Sequence, residues 1–194
     1  MYQKIKDYIA SLDSHIDDSR KPILDQLTSY IRDNESAKLN FICTHNSRRS
    51  HLSQVWAQVL ASHVGIEIST FSGGTEATAF HPNAVAALRR AGFEIQAGEG
   101  KNPKYKVSFS EDQKPMICFS KTFGDSVNPK ENFAAIMTCS EADSGCPIVP
   151  GAEARIQLFY EDPKVSDGTP EESKTYDGRC AQIATEMHYV FSSI

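Results

Sequence analysis

No stretch of this sequence approaches the ~20 consecutive apolar residues of a membrane span. The N-terminal MYQKIKDYIA interrupts its apolar residues with Lys and Asp before a signal-peptide core can form. A cytoplasmic protein with no membrane contact is therefore expected. Cationic excess is missing too: the net charge is −5, the wrong sign for holding a nucleic-acid backbone. There is no Cys-x-x-Cys pair, and the six histidines show no HExxH spacing, so neither a metal site nor a bound cofactor is expected. Five cysteines without an export signal argue against a disulfide framework and for reduced thiols with chemistry of their own. What is present, 40% hydrophobic residues over 194 positions, suffices for one sizeable core.

Periodicity divides the chain into a helical start and an α/β remainder. Ile5, Tyr8, Ile9 and Leu12, then Ile23, Leu24, Leu27, Tyr30 and Ile31, recur at helical steps. Residues 1–37 thus read as a two-helix extension, with Asp18 or Ser19 capping the second helix and Pro22 in its first turn. From Lys38 the pattern becomes strand, loop, helix: 39–42 as strand, 50–63 as helix, 66–71 as a second strand, 72–75 as loop and 83–91 as helix. Repeated βα units imply a parallel sheet. A hairpin insertion is expected at about 103–122, buried strands at 133–138 and 156–160, and a closing helix from Glu171 or Ser173, all of 38–194 forming one compact unit with the extension. Cys43, Cys139 and Asp162 each fall at or just beyond the C-terminal end of a predicted strand, where open α/β sheets build their sites.

Residues 43–50, CTHNSRRS, set a cysteine and an arginine five residues apart, followed by serine. A loop leaving a strand and entering a helix turns successive N–H groups inward and adds the positive end of the helix dipole, which makes it an anion site. The same field favours the thiolate of Cys43, the nucleophilic form, and Ser50 is placed to donate to it. Arg49 can clamp two oxygens of a tetrahedral anion in a way lysine cannot. Thr44, His45, Asn46, Ser47 and Arg48 contribute mainly backbone N–H groups, with Asn46 also bonding within the loop. Asp162, held extended by Pro163, is aimed at the site as a proton donor. Cys139 and Cys146 bracket a polar, glycine-containing stretch expected to be a mobile loop across which two thiols can pair. Cys118 and Cys180 read as core residues.

CTHNSRRS, SGGTEA after the second strand, CSEADSGCP at 139–147 and EDP at 161–163 together make the chain resemble the low-molecular-weight protein tyrosine phosphatases, and among them the thioredoxin-coupled arsenate reductases. The resemblance implies a four-stranded parallel sheet flanked by helices. It implies reduction of arsenate to arsenite by a relay through Cys43, Cys139 and Cys146, with a thioredoxin-type reductant. The alternative is a phosphatase that uses Cys43, Arg49 and Asp162 alone, and a non-catalytic oxyanion or redox sensor is a third possibility. Against tyrosine specificity, Lys164 and Val165 stand where phosphotyrosine enzymes commonly carry aromatics. The family loop commonly has Gly where His45 stands and a small residue or cysteine where Arg48 stands, so loop geometry and anion preference are open at those two positions.

Overall fold

The computed structural model describes residues 1–145 and 148–194. Helices α1 (Gln3–Ala10) and α2 (Lys21–Asp33) lead into β1 (Lys38–Cys43), α3 (Arg49–Val64), β2 (Ser69–Gly74), α4 (Pro82–Arg90) and β3 (Glu94–Ala97). Then come β4 (Tyr105–Ser108), β5 (Met116–Cys118), β6 (Phe133–Met137), α5 (Ser140–Gly145), β7 (Ala152–Gln157), a 3-10 turn (Pro163–Ser166) and α6 (Glu172–Ser192). The main sheet runs β2-β1-β6-β7, every pair parallel. Central β1 and β6 are buried along almost their whole length, as expected when both faces of a parallel sheet are covered. Helix α3, buried on nearly every side in its first three turns, is the element that the sheet and α6 enclose.

The N-terminal helices bury their apolar stripes in this same core. Ile5, Leu24 and Leu27 are fully buried in one cluster with Leu39, Phe41, Trp56 and Met187, and Tyr8 stacks on Trp56 at 5.3 Å. Arg20 makes a two-pronged pair with Glu186 of α6, at 2.9 and 2.7 Å, and donates to the Phe159 carbonyl. That inward pull sets how α2 begins. Arg20 itself occupies the cap position in an αR conformation without a side-chain cap, so neither Asp18 nor Ser19 caps as expected.

Four further differences from the sequence reading have physical causes. Strand β2 lies three residues later than 66–71, because in-register pairing with β1 sets Lys38 against Ser69 and Cys43 against Gly74. Glycine is required inside it: a Cβ at Gly73 would lie 2.3 Å from the Phe123 Cα. Strand β7 ends at Gln157 rather than Tyr160, so an extended linker, not the strand end, carries Asp162. The hairpin is present as β4 and β5, but β3 pairs beside β4 to make a three-stranded antiparallel sheet. That short strand buries only Ile95, too little alternation to announce itself. Finally, the expected loop after Cys139 is helical through Gly145, where Asp143 is fastened to Arg155 and Gln157 of β7. Cys146 lies outside the described residues.

Candidate active site

Residues 43–50 form a loop between β1 and α3 whose carbonyls are bound outward by the scaffold. Thr75 N–H donates to the Cys43 carbonyl and Glu76 N–H to that of Thr44, at 3.1 and 2.8 Å. Ser120 and Thr78 hydroxyls donate to the His45 carbonyl at 2.8 and 3.2 Å, and His81 N–H donates to that of Ser47 at 2.9 Å. With its carbonyls so engaged, the loop's N–H groups turn toward the interior, the arrangement of an anion nest. Cys43 is 3% exposed, and its Sγ shares a 3.1 Å hydrogen bond with Ser50 Oγ, which also accepts from Asn46 Nδ2 at 2.9 Å. Asn46 Oδ1 in turn accepts from Lys121 N–H.

The left-handed position in the loop is Asn46, at φ 43°, and not His45. Asn enters that region readily, so the side chain at 45 costs the loop no strain. His45 instead points partly to solvent, 3.7 Å from Glu76. The close approach falls on Gly74, where a Cβ would lie 2.6 Å from the Thr44 carbonyl oxygen and 2.7 Å from the Asn46 nitrogen. Those contacts are backbone and cannot swing away. Gly74→Ala is therefore expected to cost about 3 kcal/mol in denaturant unfolding and to lower turnover, since the displaced atoms belong to the loop.

Arg49 is 8% exposed and donates to the Tyr160 carbonyl at 3.0 Å and to Asp162 Oδ2 at 2.9 Å. Arg48 departs from its expected role as a mainly backbone donor. Its side chain donates to Tyr176 OH at 2.7 Å and to Asp167 at 3.1 Å, and sits 3.8 Å from Asp162 Oδ1. Asp162 thus bridges two guanidinium groups and also caps the 3-10 turn through Lys164 N–H at 3.1 Å. Cys43, His45, Ser47, Arg48, Arg49 and Asp162 close around a space of about 10 Å3, roughly one water's worth. A larger cleft of about 600 Å3, walled by Glu141, Phe159, Lys164 and others, opens beside Arg49 and Asp162.

Cys139 follows β6, the sheet neighbour of β1, and lies 1% exposed with its Sγ 3.5 Å from Thr44 Oγ1. Burial raises its thiol above the ordinary range, while the Thr44 hydroxyl, the Ala142 N–H and the charge of Arg49 partly offset that and the Cys43 sulfur adds to it. Cys118 and Cys180 are fully buried, each pushed up to about 12 by burial, which makes them inert core thiols. Thr78, Ser120, Lys121, Asp167 and Tyr176, which hold the loop and Arg48, were not singled out by sequence. They come from the hairpin, α6 and connecting segments, and only the SGGTEA segment hinted at any of this scaffold.

Residues 38–109 match the family model of the low molecular weight phosphotyrosine protein phosphatase. That match ends before Cys139 and Asp162. An arsenate reductase of Bacillus licheniformis is 31% identical over 135 residues, covering 68% of this chain and 78% of that protein. The chain belongs to the arsenate reductase family. A second family member, the arsenate reductase of Bacillus subtilis, is 29% identical over 138 residues, covering 71% of this chain and 82% of that one. In architecture, a low molecular weight protein tyrosine phosphatase from T. tengcongensis superposes with a TM-score of 0.56 at 15% identity, over 82% of this chain and the whole of that protein. An arsenate reductase family member on the phosphatase fold thus carries its cysteine-arginine loop between the first strand and the helix that the sheet surrounds. No helix among the described residues is long and apolar enough to cross a membrane.

Proposed function

We propose that this protein reduces arsenate to arsenite through a relay of Cys43, Cys139 and Cys146, with electrons returned by a thioredoxin-type dithiol. The observation that carries this reading is the second thiol: Cys139 stands just beyond the end of β6, the strand next to that of Cys43, in contact with loop residue Thr44. Hydrolysis of a phosphate ester has no use for it. Arsenate binds in the nest of residues 44–49, with Arg49 exchanging Asp162 for two substrate oxygens. The Cys43 thiolate attacks arsenic, and an oxygen leaves as water after taking protons, one of them supplied by Asp162. The Cys139 thiolate then attacks Cys43 Sγ. The sulfur–sulfur bond forms, the sulfur–arsenic bond breaks, and its electron pair stays on arsenic, which departs as arsenite. Cys146 next attacks Cys139 Sγ and frees the Cys43 thiolate, leaving a Cys139–Cys146 disulfide for the external dithiol to reduce.

Because Cys139 must be a thiolate to attack and burial raises its thiol, arsenite release in a single turnover should respond to pH in a particular way. The rate should rise about tenfold per pH unit and keep rising beyond the ordinary thiol value of about 8.5. A plateau at or below that value in rapid-quench measurements would contradict the assignment of Cys139 to this step. The deciding test of the relay is mass spectrometry of the disulfides formed after arsenate treatment of wild type, Cys139→Ser and Cys146→Ser. Wild type should yield arsenite and a Cys139–Cys146 bond. If it yields neither while phosphate-ester hydrolysis persists in both variants, the protein is a phosphatase. That second reading has its own support, because Cys43, Arg49 and Asp162 already form a complete set for hydrolysis.

A further inference from the structure

A cavity of about 300 Å3 lies beside β2 and β5, bounded by Phe71, Ile117, Phe119, Val127 and two lysines, Lys104 and Lys121. Both ammonium groups lie over the Phe119 ring, at 5.1 and 4.8 Å from its centre. Among the described residues no carboxylate forms an ion pair with either one. Lys121 is 5% exposed, and among the described residues its ammonium donates only to the Phe119 carbonyl, at 3.4 Å. A cation buried this far without a counter-charge is costly unless something else neutralises it, and burial accordingly lowers its affinity for a proton. Two further groups at the cavity wall lack partners among the described residues: Gln54 Oε1 and Asn128 Oδ1 are buried acceptors with no donor there, on residues 6% and 3% exposed. On the open side, Ile117 and Val127 are about half exposed. Together the walls ask for negative charge at one end, apolar bulk in the middle and a hydroxyl or amino donor, in a volume larger than a bare oxyanion fills.

We propose that this cavity is an effector site for a small organic anion, a carboxylate on an aromatic or apolar body, and that its occupancy acts on the anion loop. The connection is short. Lys121 N–H donates to Asn46 Oδ1 at 3.0 Å, and the Lys121 carbonyl accepts from Gly74 N–H at 2.9 Å. Asn46 holds Ser50, which bonds Cys43 Sγ. An anion that draws the Lys121 side chain toward itself therefore tugs on the residue that fixes Asn46, the left-handed position of the loop. The probe is 4-hydroxyphenylacetate, titrated into the 15N-labelled full chain and compared with its neutral amide. Saturable amide shifts around Lys104, Phe119 and Val127 are expected with a Kd at or below about 5 mM, with the neutral amide at least about tenfold weaker. At saturation the rate of Cys43 alkylation by iodoacetamide should change at least about twofold, an effect carried by the Lys121 contact. Lys104→Met, a change at an exposed position away from the loop, should weaken binding at least about fivefold and move the alkylation effect to correspondingly higher probe concentration, while leaving unliganded alkylation and the amide spectrum elsewhere as in wild type. Lys104→Arg, which keeps the charge, should restore both. Absence of saturation up to about 20 mM, equal binding of the amide, or saturation without any change in alkylation would overturn the proposal. So would an alkylation effect whose dependence on probe concentration is unchanged in Lys104→Met, since the probe would then be sitting in the anion loop.

Discussion

Cys43→Ser is expected to abolish both arsenate reduction and any phosphate-ester hydrolysis, by at least about 10⁴-fold, or about 5.5 kcal/mol of transition-state stabilisation. The substitution is nearly isosteric, and the loop does not depend on sulfur for its shape. Its carbonyls are held by Thr75, Glu76, Thr78, Ser120 and His81, and its turn by Asn46. A serine oxygen fits the 3.1 Å contact to Ser50, but a hydroxyl is a far weaker nucleophile than a thiolate at neutral pH and cannot form the disulfide that releases arsenite. Binding should therefore survive chemistry. Isothermal titration with arsenate or phosphate should give a Kd within about threefold of wild type, while turnover falls to background. Residual turnover above about 1% of wild type in a preparation free of contaminating enzyme would remove Cys43 from the nucleophile's role.

How far residues foretell this site depends on how local each determinant is. The loop was legible because its determinants are contiguous: cysteine, arginine and serine at fixed spacing, after an apolar strand and before a helix. Its support was not. The groups that hold the loop carbonyls come from positions 75, 76, 78, 81 and 120, brought in by β2, α4 and the hairpin, and no periodicity in the sequence connects them with residues 43–50. The same holds for β2 and β7: strands were expected at 66–71 and 156–160, whereas they run over Ser69–Gly74 and Ala152–Gln157. Pairing partners set those ends, with Gly74 opposite Cys43 and Gln157 opposite Met137. The stretch after Cys139 was read as a loop from its polar residues and glycine. Tertiary contacts of Asp143 with Arg155 and Gln157 accompany helix there instead.

The two unusual loop residues separate along the same line. His45 looked like a backbone problem, yet backbone strain falls one residue later, on an asparagine suited to it. Arg48 looked like a backbone contributor, yet its side chain organises the mouth of the site. By bonding Tyr176 and Asp167 it ties the loop to α6 and to the segment that carries Asp162. Tyr176 is pushed up to about 12, burial being the main cause and its bond to Asp167 the next, so it stays a neutral donor to that carboxylate throughout the working pH range. The site is consequently closed by charge pairs that an incoming oxyanion must displace from Arg49, while Arg48 is anchored on its far side.

Cys139→Ser should separate the two chemistries proposed for this loop. In the relay, Cys139 supplies the second electron-donating sulfur, so its loss should reduce arsenite formation by at least about 10³-fold under thioredoxin-coupled turnover. Hydrolysis of p-nitrophenyl phosphate, which needs only the nucleophile, the clamp and the proton donor, should stay within about threefold of wild type. The structural cost of the change is small. The side chain is buried, but the Thr44 hydroxyl at 3.5 Å is ready to pair with a serine hydroxyl, so denaturant midpoints should move little and a loss of reduction cannot be ascribed to unfolding. Lost hydrolysis together with lost reduction would show that Cys139 holds the loop in shape and does not relay electrons. Retained reduction would mean that another sulfur, from Cys146 or from the external dithiol, attacks the Cys43 adduct directly. The first pattern alone places Cys139 in the electron path, because only there does one sulfur atom matter to arsenic and not to phosphorus.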